Sequence, residues 1–129
     1  MKIKRILILE DDAFQRRFLQ LFLEAAGFTV EYGENGIEGL QKMRKSIPFD
    51  LIMSDLKMPV MDGIRFLGEL RKDSRFDDIP LVMISKIDNE SIKQKARDLG
   101  AFHFMEKPFT NEKIFKLLTA LEQRTNDNS

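Results

Sequence analysis

The chain has 129 residues, no cysteine and a single histidine, His103, and its 21 basic side chains balance 21 acidic ones. That length suits one domain with an adequate core, and the residue inventory excludes disulfides, thiolate metal sites and multi-histidine zinc centres. Balanced charge argues against a nucleic-acid footprint, and the first apolar run stops at Leu9, too short for a signal peptide or membrane span; the expectation is a cytoplasmic protein with no direct nucleic-acid contact and no membrane insertion.

Taken in chain order, Ile6-Leu7-Ile8-Leu9 is a short branched run that stops at Glu10-Asp11-Asp12, as a strand buried on both faces does. Ala13 to Ala26 has helical spacing, with Phe14, Phe18 and Phe22 assigned to the core, and Gly27 ends it. Phe28 to Tyr32 reads as a second strand, Gly33 to Gly36 as a turn, and Ile37, Leu40 and Met43 mark a helix that fades before Pro48. Leu51-Ile52-Met53 is a third strand, followed by Ser54-Asp55. Asp62-Gly63 then opens a helix carrying Ile64, Phe66, Leu67 and Leu70. Pro80 introduces a fourth buried run, Leu81 to Ile84. Ser91 to Leu99 is a weaker helix closed by Gly100, and Phe102 to Met105 is the fifth strand. Thr110 caps a last helix with Ile114, Leu117, Leu118 and Leu121 on one face. Residues 1–124 are read as one domain and 125–129 as a polar C-terminal tail or linker stub. Strict alternation of five strands and five helices predicts an α/β fold with a parallel sheet covered on both sides.

In such a sheet, ligands bind beyond the carboxyl ends of the strands. The residues following each buried run are Glu10, Asp11 and Asp12, then Asp55, then Ser85, then Lys107 before Pro108. Clustered carboxylates repel one another and call for a hard cation, and Mg²⁺ takes oxygen ligands while keeping waters. Asp11 and Asp55 are the direct ligands expected, with Glu10 acting through a water. Lys107 suits a phosphoryl oxygen or the Asp55 carboxylate, and Ser85 can donate one hydrogen bond to the same anion. The set fits phosphoryl transfer to a carboxylate, with Asp55 the nucleophile and no general base required.

The motifs ILILEDD, LIMSDLKMPVMDG around Asp55, MIS ending at Ser85 and MEKPF containing Lys107, with spacings of 44, 30 and 22 residues between Asp11, Asp55, Ser85 and Lys107, resemble those of response-regulator receiver domains of the stand-alone chemotaxis-regulator type. The resemblance covers essentially the whole chain. It implies a flavodoxin-like (βα)5 three-layer sandwich with strand order 2-1-3-4-5. It also implies Mg²⁺ (or Mn²⁺ as a substitute) completed by the backbone carbonyl of Lys57, and a donor phosphohistidine on a histidine kinase or phosphotransfer protein. It further implies a switch in which Ser85 moves toward the phosphoryl group and Phe104 turns inward. The readout would be the fourth helix, fifth strand and fifth helix, about Asp88 to Arg124, serving an unknown output protein or a homodimer. The chain would catalyse its own aspartyl phosphorylation and dephosphorylation without being a turnover enzyme. The absence of a DNA-binding segment favours protein–protein output for a complete chain. The family also suggests a cis bond before Pro108. This sequence carries Glu10 where Asp is commoner, Ser85 where Thr is equally usual, and Phe104, which lacks a tyrosine's hydroxyl.

Other roles compete at several positions. Asp12 is read as a helix N-cap in preference to a metal ligand, and Asp62 as turn and cap chemistry. Phe104 is open between plain core and moving switch. His103 is read as a surface residue, and Arg16 and Arg17 as a solvated face. Ile92, Ala96, Leu99 and Phe115 are expected to leave apolar surface for assembly. Two other functions stay in play: an interaction module that ignores phosphate, and a phosphatase working through an aspartyl-phosphate. The latter needs a second acid two residues past the nucleophile, where Lys57 stands.

Overall fold

The structure, a computed structural model, describes residues 3–45, 48–86 and 89–127, with side chains through residue 123. Strands β1 (Arg5–Leu9), β2 (Thr29–Gly33), β3 (Leu51–Asp55), β4 (Leu81–Ser85) and β5 (His103–Glu106) alternate with helices α1 (Ala13–Ala25), α2 (Gly36–Lys45), α3 (Gly63–Leu70), α4 (Glu90–Asp98) and α5 (Asn111–Asp127). All strand pairs are parallel and the order is β2-β1-β3-β4-β5, the flavodoxin-like arrangement expected.

The continuous apolar runs are explained by position. The central strands β3 and β4 are buried at every residue and β1 at all but its first, whereas the edge strands β2 and β5 are only partly so. Successive side chains alternate between two layers. Ile6, Ile8, Leu51, Met53, Val82 and Ile84 pack against Leu19 and Leu23 of α1 and Ile114, Leu117, Leu118 and Leu121 of α5. On the opposite face, Leu7, Leu9, Ile52, Leu81 and Met83 pack against Leu40 and Met43 of α2 and Phe66, Leu67 and Leu70 of α3. Helix α4 is held far more lightly, with Ala96 its one buried residue.

The caps follow local chemistry. The Asp12 carboxylate accepts from the Gln15 N–H at 2.9 Å and that of Asp62 from the Arg65 N–H at 2.8 Å. Asn89 caps α4 and Thr110 caps α5 in the same way. Gly27 adopts φ 101°, and the bonds Gly27 N–H to Glu24 O and Phe28 N–H to Leu23 O close α1 in a Schellman motif.

Several expectations need correction. Phe14 is 87% exposed and Phe18 44%, so they are not core; Leu19 and Leu23 are, with Phe22 packing against them. Helix α1 is apolar on two faces, and periodicity does not say which one points inward. Ala96 is buried, and Ile92 and Leu99 pack against the α2–α3 side of the core, so of the four residues expected to offer apolar surface on this face only Phe115 is prominently exposed. Helix α5 runs to Asp127. A 3-10 turn at Ser74–Phe76, capped by Asp73, was not anticipated. Of the expected readout segment, Asp88 and the Arg124 side chain lie outside the described residues.

Candidate functional site

The chain leaves β1 toward β2 on one side and returns to β3 on the other, so a crevice opens at the carboxyl ends of β1 and β3. Glu10 and Asp11 follow β1, Asp55 ends β3, and Lys107 follows β5. One oxygen from each of Glu10, Asp11 and Asp55 lies within 4.8 Å of the others. Lys107 Nζ bridges two of them, 2.8 Å from Glu10 Oε1 and 3.0 Å from Asp55 Oδ2. Glu10 and Asp55 are buried, and Asp11 stands exposed at the mouth.

The backbone under each group is fixed. The Glu10 N–H donates to Gly33 O at 3.1 Å, the Leu56 N–H to Ile84 O at 2.9 Å and the Lys107 N–H to Ser85 O at 2.8 Å, which ties β1 to β2 and joins β3, β4 and β5 at the rim. The Lys107–Pro108 bond is cis. Ser85 is buried at the end of β4, beside the Asp55 strand on one side and the Glu106 strand on the other. Lys57 lies on the exposed loop two residues after Asp55. Phe104 is outside the cluster; it is partly buried against the α2–α3 side of the core, with Lys93 Nζ 5.7 Å from its ring centroid. His103 is exposed, as expected.

Burial, reinforced by the neighbouring Asp55, raises the Glu10 carboxyl above the usual carboxylate range despite its Lys107 contact. The Asp11 carboxyl is raised by desolvation and then by Glu10. Burial alone would lower the Lys107 ammonium, but the hydrogen bonds to Glu10 and Asp55 outweigh it and hold the group above its ordinary value. When all are ionised, three carboxylates against one ammonium leave two negative charges uncompensated. That surplus, an all-oxygen donor set and an open mouth fit a hard divalent ion such as Mg²⁺.

Three features of the site were not read from sequence. Glu10 is a direct partner of Lys107. Arg16 is not solvated: its Nη1 donates to the Glu10 carbonyl at 2.9 Å, whereas Arg17 is exposed. Gly63 starts α3 directly under Asp55; a Cβ there would collide with the Asp55 carbonyl oxygen and lie 2.7 Å from Met83 Sδ. The sequence signal for Gly63 was present, since an Asp-Gly pair opening a helix marks both a cap and a close approach. Beside the cluster, an open, mainly apolar cleft of about 310 Å³ is lined by Phe14, Phe18, Lys86, Lys107, Pro108 and Phe109.

Known proteins share this fold. The chemotaxis response regulator CheY4 of Vibrio cholerae superposes with a TM-score of 0.86 at 32% identity, covering 93% of this chain and 99% of that one. A CheY-like receiver domain protein from Methanospirillum hungatei gives a TM-score of 0.81 at 28% identity, covering 95% and 99%. The DNA-binding dual master transcriptional regulator RpaA of Synechocystis is 36% identical over 121 residues, 94% of this chain and 50% of that protein. The response regulator MprA of Mycobacterium ulcerans is 34% identical over 121 residues, 94% and 51%. The chain thus spans about half the length of these two curated relatives. The response regulator receiver domain family matches residues 6–119, most of the chain and every rim residue named above, and the chain belongs to that family.

Proposed function

We propose that Asp55 is the phosphoacceptor of a two-component receiver and that its phosphorylation switches the α4-β5-α5 face for protein–protein output. Receiver domains act with histidine kinases or phosphotransfer proteins and bind Mg²⁺ in an acidic pocket. The observation that carries the reading is the meeting of three carboxylates and one buried ammonium at the β1–β3 crevice.

Asp11, Asp55 and the Lys57 backbone carbonyl would hold Mg²⁺ (or Mn²⁺) directly, and Glu10 through a water. The bound ion neutralises charge on the acceptor carboxylate and the incoming phosphoryl oxygens. The Asp55 carboxylate forms the new O–P bond as the N–P bond of the donor phosphohistidine breaks, and a carboxylate nucleophile needs no general base. Lys107, already on Asp55 Oδ2, is placed to take a phosphoryl oxygen, and the Ser85 hydroxyl donates to another. Each round is self-modification of Asp55 followed by hydrolysis, not turnover of an external substrate.

The donor seats on Phe14, Phe18 and Phe109, since this exposed aromatic cleft is lined by Lys107, whose ammonium touches Asp55. On the output side, Ser85 shifts toward the phosphoryl group and Phe104 follows. Phe115, 68% exposed on α5, offers the apolar contact for an output protein or a second copy of the chain. Among the described residues no helix is long and apolar enough to cross a membrane, and the reading places the protein in the cytoplasm with its kinase. Incubation with Mg²⁺ and a small phosphodonor tests the assignment by mass spectrometry. A phosphoryl mass gain abolished by Asp55→Asn is expected, and equal labelling of that variant refutes it.

A further inference from the structure

Phosphoryl transfer, as derived above, makes no use of Arg16, although this residue holds the acidic loop in place. The Glu10 carbonyl belongs to the peptide that joins Glu10 to Asp11, and a peptide is planar. Fixing that oxygen fixes the plane from which both acidic side chains depart. Arg16 Nη1 donates to it at 2.9 Å. On the other side of the same residue, the Glu10 N–H is held by Gly33 O.

The guanidinium is itself held from β2 and the loop that follows. It stacks over the Tyr32 ring at 4.5 Å from the centroid, and Nη2 lies 3.7 Å from Glu34 Oε1. Its side chain is 12% exposed. Only a planar, multiply donating cation can stack on a ring and donate in its own plane at once. The Glu34 pair alone would be worth little, since Glu34 is half exposed.

We propose that Arg16 is a positioning residue for the divalent-cation site, holding the Glu10–Asp11 peptide so that both carboxylates converge on Asp55. The inference rests on the Mg²⁺ reading of that site. It makes a prediction whose sign separates it from plain electrostatics. Removing a positive charge beside an acidic pocket should tighten cation binding, or leave it unchanged where salt screens it. Removing a group that orients metal ligands should weaken binding, by about tenfold.

The test is calorimetric titration of Mg²⁺ alone into the unaltered protein, Arg16→Met, Arg16→Lys and the exposed control Arg17→Met, with urea unfolding in EDTA to report folding separately. The expected result is about tenfold weaker Mg²⁺ binding for Arg16→Met, a smaller loss for Arg16→Lys, which keeps charge but not the planar stack, and less than a twofold change for Arg17→Met. Affinity within twofold of the unaltered protein, or tighter, in folded Arg16→Met overturns the proposal. Should Arg16→Met fail to fold, unaltered affinity in Arg16→Lys overturns it instead. Failure of the unaltered protein to bind Mg²⁺ removes the cation site itself, an outcome distinct from either.

Discussion

Replacing Lys107 by Met keeps most of the apolar stem and removes only the ammonium that bridges Glu10 and Asp55. The bridge is short, 2.8 and 3.0 Å, and the Lys107 side chain is only 7% exposed. At an effective dielectric of about 20, a contact of that length is worth roughly 6 kcal/mol of Coulomb attraction. Mutual repulsion of the carboxylates and the desolvation of all three groups offset most of the sum. Breaking a buried pair by removing one partner costs about 3–5 kcal/mol.

Proton uptake limits the loss. Neutralising an ordinary carboxyl at pH 7 costs about 3–4 kcal/mol, and Glu10 is already raised, so its protonation costs less. We therefore expect Lys107→Met to lose about 3 kcal/mol in metal-free buffer at pH 7, measured by urea unfolding. The deficit should shrink as pH falls toward 5 and shrink again at pH 7 when Mg²⁺ is added. A deficit that ignores both pH and Mg²⁺ would mean that the lysine acts through its stem, and would refute the ion-bridge argument.

Other consequences follow from the same geometry. Glu10 and Asp11 have raised folded values, so their contribution to stability is present at low pH and is lost as pH rises through those values; the urea midpoint of the metal-free protein should fall as pH rises through the window just above the ordinary carboxylate range, and on acidification Mg²⁺ affinity should begin to fall at a pH above that range. Lys107, raised in the folded state, keeps its stabilising effect throughout that window and loses it only in strong alkali. Gly63→Ala drives a Cβ into the Asp55 carbonyl oxygen, a backbone atom that cannot step aside, and should cost about 2 kcal/mol or more by urea unfolding and slow labelling of Asp55. Phe18→Ala removes aromatic surface from the cleft beside Lys107 but nothing from the core; phosphotransfer from a kinase should slow severalfold while labelling by a small phosphodonor stays unchanged. Arg71 donates to the carbonyls of Phe76, Leu99 and Gly100, so Arg71→Met should lower stability by about 2 kcal/mol and raise amide exchange in α4 first.

The strands were legible because burial on both faces leaves continuous apolar runs, and the rim residues because the end of such a run has a fixed place in a parallel sheet. Asp55 and Lys107 are 52 positions apart, yet each needed only its own strand end to be placed. Phe14 and Phe18 were misread because α1 has two apolar stripes, Phe14-Phe18-Leu21 outside and Leu19-Phe22-Leu23 inside, and helical spacing is the same for both. Arg16 was illegible for a different reason. Its partners are a carbonyl six residues back and a ring and a carboxylate from another strand and loop, and no local pattern records a carbonyl's direction.

The distribution of burial indicates where a change at Asp55 can travel. The acids sit at the carboxyl ends of β1 and β3, strands buried almost throughout and clamped by Arg16, Gly33 and Gly63, so added charge meets the stiffer part of the scaffold there. Across the rim the framework softens. The Lys107 N–H holds Ser85 O, β5 buries Met105 alone, and α4 buries Ala96 alone. A pull on Ser85 or Lys107 is therefore resisted least toward α4 and β5, where displacing an element uncovers little apolar surface. Phe104 stands on that edge, packed against the core yet only partly buried, with Lys93 near its ring. The rigid acidic end and the lightly held far edge thus give one domain two mechanical characters, and on the proposed reading phosphorylation at the first would have the second as its least costly outlet.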